Sequence, residues 1–408
     1  MTFKVKTKGQ NEGEKLLKPK LRFKEFKDNW TLMSLNSLME FKNGINATKD
    51  AYGKGIKYIS VTDILNNNFI TYEKIKGLVN IDNITLKNNS VTYGDVVFQR
   101  SSETIEDIGR ANVYLDHNKV ATFGGFVIRG KKKGDYNPLF INYLLQNSSS
   151  RKAIIVKGAG AQHYNISQEE LEKIELYFPS IEEQEKIANL LSLLDKKIEL
   201  QKRKIEALKI YKKGLIQQLF NLNDCEEKHV SDFGNILTGT TPSKAISKYW
   251  TNGNIAWITP TDITESKDIY TSNEKLTIDG LNAGKFIPAG SILITCIASI
   301  GKNAILKVNG SCNQQINAII PSDNFNPDYL YYLFELKKDY LLSIAGTSAT
   351  SIINKSAFEK LVFKVHDIKV QNKIALILNC LELKFETEKS KLAKLRLLKK
   401  SLLQQMFI

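Results

Sequence analysis

Two tetrapeptides in this 408-residue chain come close to a chemical signature. Asn137-Pro138-Leu139-Phe140 and Asn326-Pro327-Asp328-Tyr329 each lack one proline of the Asn-Pro-Pro-aromatic sequence. That sequence grips a flipped adenine with an amide, a backbone carbonyl and a stacked ring. No Phe-x-Gly-x-Gly cofactor loop accompanies either copy. The better reading is structural: the asparagine caps a helix and the proline takes its first position. No G-x-x-x-x-G-K-[ST] loop occurs, so no ATP site is expected. His117, His163, His229 and His366 lack metal-ligand spacing. Cys225, Cys296, Cys312 and Cys380 lie far apart without a C-x-x-C pair, which argues against zinc or a disulfide framework and suits a reducing cytoplasm. We expect no catalytic residue and no metal.

What remains is recognition chemistry. The net charge of +15 points to a polyanionic partner, nucleic acid first. Reading DNA needs donors and acceptors on loops that reach base edges, with Lys and Arg on nearby phosphates. In the first half the best loop is Gln99-Arg100-Ser101-Ser102, after an expected strand. Arg100 suits a guanine edge bidentately, or alternatively a surface ion pair with Glu103 or Glu106. The corresponding loop of the second half holds Thr295, Cys296 and Ser299, near Lys302. Two glycine-led loops add Gln162 and His163 in one half and Thr347 and Ser348 in the other, as DNA contacts or as tight turns at a helix junction. Thr240, Thr241, Ser243 and Lys244 form a further polar loop.

The elements that carry these loops occur twice. YISVTDI from Tyr58 matches WITPTDI from Trp257, GDVVFQR from Gly94 matches GSILITC from Gly290, and IGRA from Ile108 matches IGKNA from Ile300. KKGLIQQLF ending at Phe220 matches KKSLLQQMF ending at Phe407. Asp63 and Asp262 are 199 residues apart and Pro138 and Pro327 are 189 apart, whereas Gln184–Gln371 and Phe220–Phe407 are both 187 apart. The globular parts have drifted in length while the helical parts have kept register. Short β-branched runs mixed with turns and short helices indicate α+β domains.

A 4-3 apolar seam runs through Leu191, Leu194, Ile198, Ile205 and Leu208, and again through Leu378, Leu381, Phe385, Leu392 and Leu395. Polar residues interrupt both seams at the same steps, Gln201/Glu388 and Lys212/Lys399. Ser180, with Glu183 in a capping box, and Asp367 are the expected N-caps. Each helix is expected to be about 34 residues, or roughly 50 Å, and the two to pair antiparallel with one domain at each end. The layout is then a basic disordered tail (1–20), a first domain (21–179), a central long helix (180–222), a second domain (223–366) and a C-terminal long helix (367–408).

In this order, the duplicated YISVTDI/WITPTDI segments, NPxF/Y helix starts, Q-x-K-I-A helix openings and K-K-x-L-x-Q-Q-x-F helix ends resemble the DNA-specificity subunits of type I restriction-modification systems, from about Lys20 to Ile408. The resemblance implies two pseudo-symmetric target-recognition domains, each reading one half of a bipartite, asymmetric site on double-stranded DNA. It implies helices that set the spacer and dock two methyltransferase subunits, with two ATP-dependent motor-nuclease restriction subunits joining them. S-adenosylmethionine, ATP and Mg would then sit on those partners, none on this chain, and the complex would be cytoplasmic and away from membranes. The competing reading is a self-contained DNA-modifying enzyme, nuclease or methyltransferase, with built-in specificity.

Overall fold

The computed structural model describes residues 18–158, 163–221, 224–345 and 352–408. Four helices organise it: α1 (Pro138–Gln146), α2 (Ile181–Phe220), α3 (Pro327–Leu336) and α4 (Ile368–Gln405). The chain divides into two compact units. One takes the described residues through Lys202 together with Lys391–Ile408, and the other takes Arg203–Ser390. Each unit therefore contains one α+β domain and a part of both long helices. Among the described residues, no helix is long and apolar enough to cross a membrane.

In the first unit an antiparallel sheet is built from β1 (Met39–Asn43), β2 (Val96–Gln99), β3 (Ala111–Val113) and β4 (Val127–Lys132), in the order β1-β4-β2-β3. Strand β2 is buried throughout, because successive side chains enter different cores. Val96 and Phe98 join Trp30, Phe140, Leu144 and Leu191, while Val97 joins Ile59, Ile70 and Phe123.

The second unit repeats the plan with β5 (Gly234–Thr238), β6 (Asp268–Ile269), β7 (Ile292–Thr295), β8 (Asn303–Leu306) and β9 (Ile316–Pro321), in the order β5-β9-β7-β8-β6. Ile292 and Ile294 enter one core and Leu293 the other. In both domains the entering and leaving segments pair as an antiparallel ribbon, Thr31–Ser34 with Glu175–Phe178 and Glu226–His229 with Val362–Val365.

The duplicated motifs are the joints between domain and helix. Asn137 accepts from the backbone N–H groups of Leu139 and Phe140 at 3.0 Å, and Asn326 from Tyr329 at 3.1 Å, so both are helix N-caps. Gln184 Oε1 accepts from the Asn137 N–H at 3.0 Å, and Gln371 Oε1 from the Asn326 N–H at 2.9 Å. Each glutamine also donates back across its own helix start, to Pro179 O and His366 O. Buried backbone groups need such partners, which explains a glutamine at both positions. The phenylalanine closing each helix end packs on the aromatic ring of an NPxF/Y motif. Phe407 lies 5.5 Å from Phe140 and 6.2 Å from Trp30 in the first unit, and Phe220 stacks 4.8 Å from Tyr329 in the second.

The long helices are 40 and 38 residues, longer than the expected 34. Each helix runs past its seam at both ends, and its N-terminal turn is capped. Asp367 caps α4 through the N–H groups of Lys369 and Val370. Ser180 accepts from the Glu183 N–H at 3.4 Å, but the capping box is not completed. The Glu183 carboxylate instead takes a bidentate pair from Arg22 at 2.8 and 2.7 Å. A buried carboxylate gains more from a guanidinium than from one amide.

Every residue of both expected seams is buried or half-buried. Within each unit the α2 and α4 segments run antiparallel. In the first, Lys399 Nζ lies 2.6 Å from Asp195 Oδ1. In the second, Lys204 pairs with Glu388 at 3.0 Å and Lys212 pairs with Glu382, so partner numbers fall along one helix as they rise along the other.

Candidate nucleic-acid interface

Four chain segments converge at one edge of each domain, and they are the same four. In the first domain, residues 44–49 meet the 123–126 turn: Gly44 N–H donates to Val127 O at 3.0 Å, and Ile45 forms a bridge with Gly124. The Arg100 N–H donates to Phe126 O at 2.9 Å, which joins the β2 exit loop to that turn. Ser101 and Ser102 pair antiparallel with Asn165 and Tyr164, the exit of the glycine-led loop. In the second domain Gly239 N–H donates to Ile316 O at 3.0 Å, Cys296 N–H to Gln315 O at 2.8 Å, and Ile353 N–H to Cys296 O at 2.9 Å.

The glycine of each IGR/IGK motif closes the exit loop. Gly109 (φ +61°) donates to Gln99 O and Gly301 (φ +79°) to Thr295 O, both at 3.0 Å. Those φ values explain a glycine in both copies.

The individual residues divide sharply. Arg100 is half-buried, its Nη1 donates to Gly125 O at 3.4 Å, and it pairs with neither Glu103 nor Glu106. The guanidinium thus keeps donors for a ligand. Ser101 donates to Asn165 Oδ1 at 2.5 Å, and Ser102 Oγ accepts from the Thr104 N–H at 3.2 Å; both are half-exposed. His163 is exposed. Gln162, Thr347 and Ser348 lie outside the described residues.

Two expected contacts are corrected. Gln99 is buried with its Nε2 on Ser101 O at 2.9 Å. Thr295 is fully buried, donating to Ser299 O and accepting from the Lys302 N–H at 3.0 Å. Both sit on the inward side of a strand end, where period-2 alternation points them at the core. Ser299 and Lys302 are half-exposed.

The 240–244 loop is also more occupied than its composition suggests. Lys244 lies 3.7 Å over the Trp250 ring and pairs with Glu274 at 2.5 Å, while Ser243 O accepts from Trp250 Nε1. Thr240 is half-buried, its carbonyl accepting from Trp257 Nε1 at 3.0 Å. Thr241 is exposed and donates to Gln314 Oε1 at 2.6 Å.

Sequence reasoning missed two parts of this platform. The first-domain counterpart of Gly239–Lys244 is Gly44–Lys49, whose GINATK matches GTTPSK weakly and at an offset of 195 rather than the 199 of Asp63–Asp262. The other is the turn at 124–126, answered in the second domain by Asn313–Gln315; no shared letters signal it, and only the ladder aligns the two. The two domains also differ where they align. Cys296 takes the place of Arg100, and burial pushes its thiol up to about 12. That position is part of the core in the second domain and half-exposed in the first.

The NPxF/Y rings are not presented to solvent. Phe140 and Tyr329 are fully buried, and Tyr329 Oη lies 2.9 Å from His366 Nδ1. Among the described residues, no group of three or more His, Cys, Asp or Glu side chains is placed to hold a metal ion.

A family model described as the type I restriction modification DNA specificity domain matches residues 27–209 and 223–397. A stretch of 172 residues is 34% identical to the MjaIX type I restriction enzyme specificity subunit of Methanocaldococcus jannaschii, covering 41% of this chain and 40% of that protein. A stretch of 143 residues is 35% identical to the HindI specificity subunit of Haemophilus influenzae, covering 33% of this chain and 30% of that one. The matched stretches thus span under half the length of these relatives. The fold is similar to the S subunit of a type I restriction-modification system from M. genitalium, with TM-score 0.59, 16% identity and coverage of 96% of this chain and 99% of that chain. It is also similar to a chain from a structural study of type I complex assembly, with TM-score 0.61, 13% identity and coverage of 93% and 97%.

Proposed function

This chain belongs to the type I restriction modification DNA specificity family, and from that premise we propose that it is the non-catalytic DNA-reading subunit of a type I restriction-modification complex. Each domain reads one half of a bipartite, asymmetric site on double-stranded DNA. The observation that carries this reading is the loop platform, built twice in one chain from the same four segments but with different side chains. Identical scaffolds with different polar tips suit the reading of two different half-sites.

The helices support partner docking. In the first unit Leu190, Leu397 and Leu398 are exposed, and in the second Ile377, Ile210 and Tyr211. These are the same three positions 187 residues apart. Large exposed apolar side chains on a well-paired helix mark an interaction face, and its duplication suits two copies of one partner. Methyltransferase subunits occupy these faces, and the ATP-dependent restriction subunits join through them. S-adenosylmethionine, ATP and Mg are bound by those partners, in the cytoplasm.

The test is methyl transfer to DNA by the purified chain, by its methyltransferase partner, and by both together. Only the mixture should modify DNA, at a bipartite site that methylome sequencing reads out. Transfer by the chain alone would favour a self-contained modifying enzyme.

A further inference from the structure

The first-domain platform ends in an aromatic side chain that neither the core nor any ion pair uses. Phe126 is 68% exposed, although the strand that follows it is buried from Val127 to Gly130. It stands on a tight turn, Gly124-Gly125-Phe126, that three neighbours approach closely. A Cβ on Gly124 would fall 2.1 Å from the Tyr58 hydroxyl, and one on Gly125 would fall 1.9 Å from Asn46 Oδ1. The third neighbour is Arg100, whose backbone N–H donates to Phe126 O and whose Nη1 donates to Gly125 O. The ring thus stands on a turn that Arg100 ties by two hydrogen bonds, beside the guanidinium best placed to reach a base. In the second domain Gln315 occupies the matching position, with its Oε1 accepting from Asn313 Nδ2 at 3.0 Å. The apolar tip is therefore particular to one domain and is not part of the shared scaffold.

We propose that Phe126 reads a thymine in the first half-site by packing on its 5-methyl group in the major groove, next to the base edge that Arg100 contacts. The assignment rests on the reading of the chain as a DNA-specificity subunit. The major groove offers one apolar group to a protein, the thymine methyl, and it is also where an arginine addresses guanine O6 and N7. An exposed phenylalanine gains by leaving water only if it meets such a group. The pairing of an apolar and a cationic reader at one turn defines two neighbouring positions of the half-site.

The experiment uses the complex reconstituted with its methyltransferase partner. Duplexes carry deoxyuridine in place of each thymine of the first half-site in turn, which removes only the methyl group. Wild type should bind one of these duplexes about three- to ten-fold more weakly, the scale of one buried methyl contact. Phe126→Gln, which installs the residue of the second domain at an exposed position, should bind the thymine duplex more weakly by a similar factor and lose all sensitivity to that deoxyuridine. Recognition of the second half-site is the internal control for folding. A first half-site without thymine, or a Phe126→Gln complex that still discriminates deoxyuridine, overturns the proposal. So does a rise in 2-aminopurine fluorescence that requires Phe126, because the ring would then be a wedge between base pairs. If wild type modifies no bipartite site at all, the subunit reading itself has failed, and the two failures are told apart.

Discussion

Lys399 and Asp195 meet at 2.6 Å in the first unit, and the residues 187 positions removed from each, Lys212 and Glu382, meet in the second. Each pair is roofed by a tyrosine at equivalent positions. Lys399 lies 5.4 Å from the Tyr143 ring and Lys212 lies 5.7 Å from the Tyr332 ring. Tyr143 donates to Asp195 at 2.8 Å, and burial with the adjacent carboxylate pushes its phenol up. The lysine break of each seam, Lys399 or Lys212, is thus the cationic half of one of two matched ionic joints between the long helices and the domain helix α1 or α3.

Removing one partner of such a joint should be worse than removing both. Lys399→Met leaves the Asp195 carboxylate, 7% exposed, without its cation. Loss of about 2–4 kcal/mol in urea unfolding is expected, while the double change Asp195→Leu with Lys399→Met should recover most of it. A double variant as unstable as the single one would show that the site needs the charge pair itself.

DNA affinity should fall steeply with salt, because contacts from a chain of net charge +15 release counterions from phosphate. Arg100→Ala should lower discrimination at one position of the first half-site by about 1–3 kcal/mol and leave the second half-site unchanged. Equal weakening on every sequence tested would remove Arg100 from base reading.

Helix length should set the spacer between half-sites. Four residues inserted near Gln201 and four near Glu388 lengthen α2 and α4 by about 6 Å each and keep the seams nearly in phase. Methylome sequencing should find the same half-sites with a spacer longer by about one or two base pairs, given about 34–36 Å per turn of DNA. An active complex with an unchanged spacer would leave the helices as docking surfaces only.

Stability should depend on pH through His366. Burial holds its imidazole below the ordinary range, with Tyr329 on Nδ1 and the Phe220 ring 6.2 Å away. A depressed folded pKa means that the unfolded chain takes the proton first. The contribution is therefore present above about pH 6.5 and is lost as pH falls toward the lower folded value. Between pH 8 and pH 5.5 the Tm of wild type should drop further than that of His366→Asn. Parallel curves would place the titrating group elsewhere.

The helical half of this architecture was legible because its physics is periodic. Leu191 to Leu208 and Leu378 to Leu395 follow one spacing, and burial obeys it residue by residue. Asn137 and Asn326 were readable as caps because capping is local. The DNA-facing loops were only partly legible. Gln99 and Arg100 are adjacent polar residues at a strand with a core on each face, and nothing local shows that one is buried and the other half-buried. Phe126 carries no signal in the sequence, where a phenylalanine beside a strand usually belongs to the core; its 68% exposure is visible only in the structure. The Glu183 carboxylate was read locally as a cap, and Arg22, 161 residues away, claims it instead.

The closure of the first unit by Met406 and Phe407 also has a consequence for biosynthesis. Its core holds Trp30, Phe140 and Leu191, but it is finished by residues that leave the ribosome only after all of Arg203–Ser390. Domains ordinarily fold in the order they are made. Here the second unit is an uninterrupted stretch and can complete itself first, while the first-made domain waits with the seat of Phe407 open beside Trp30. Until then Trp30 and Phe140 lack the ring that covers them in the finished unit.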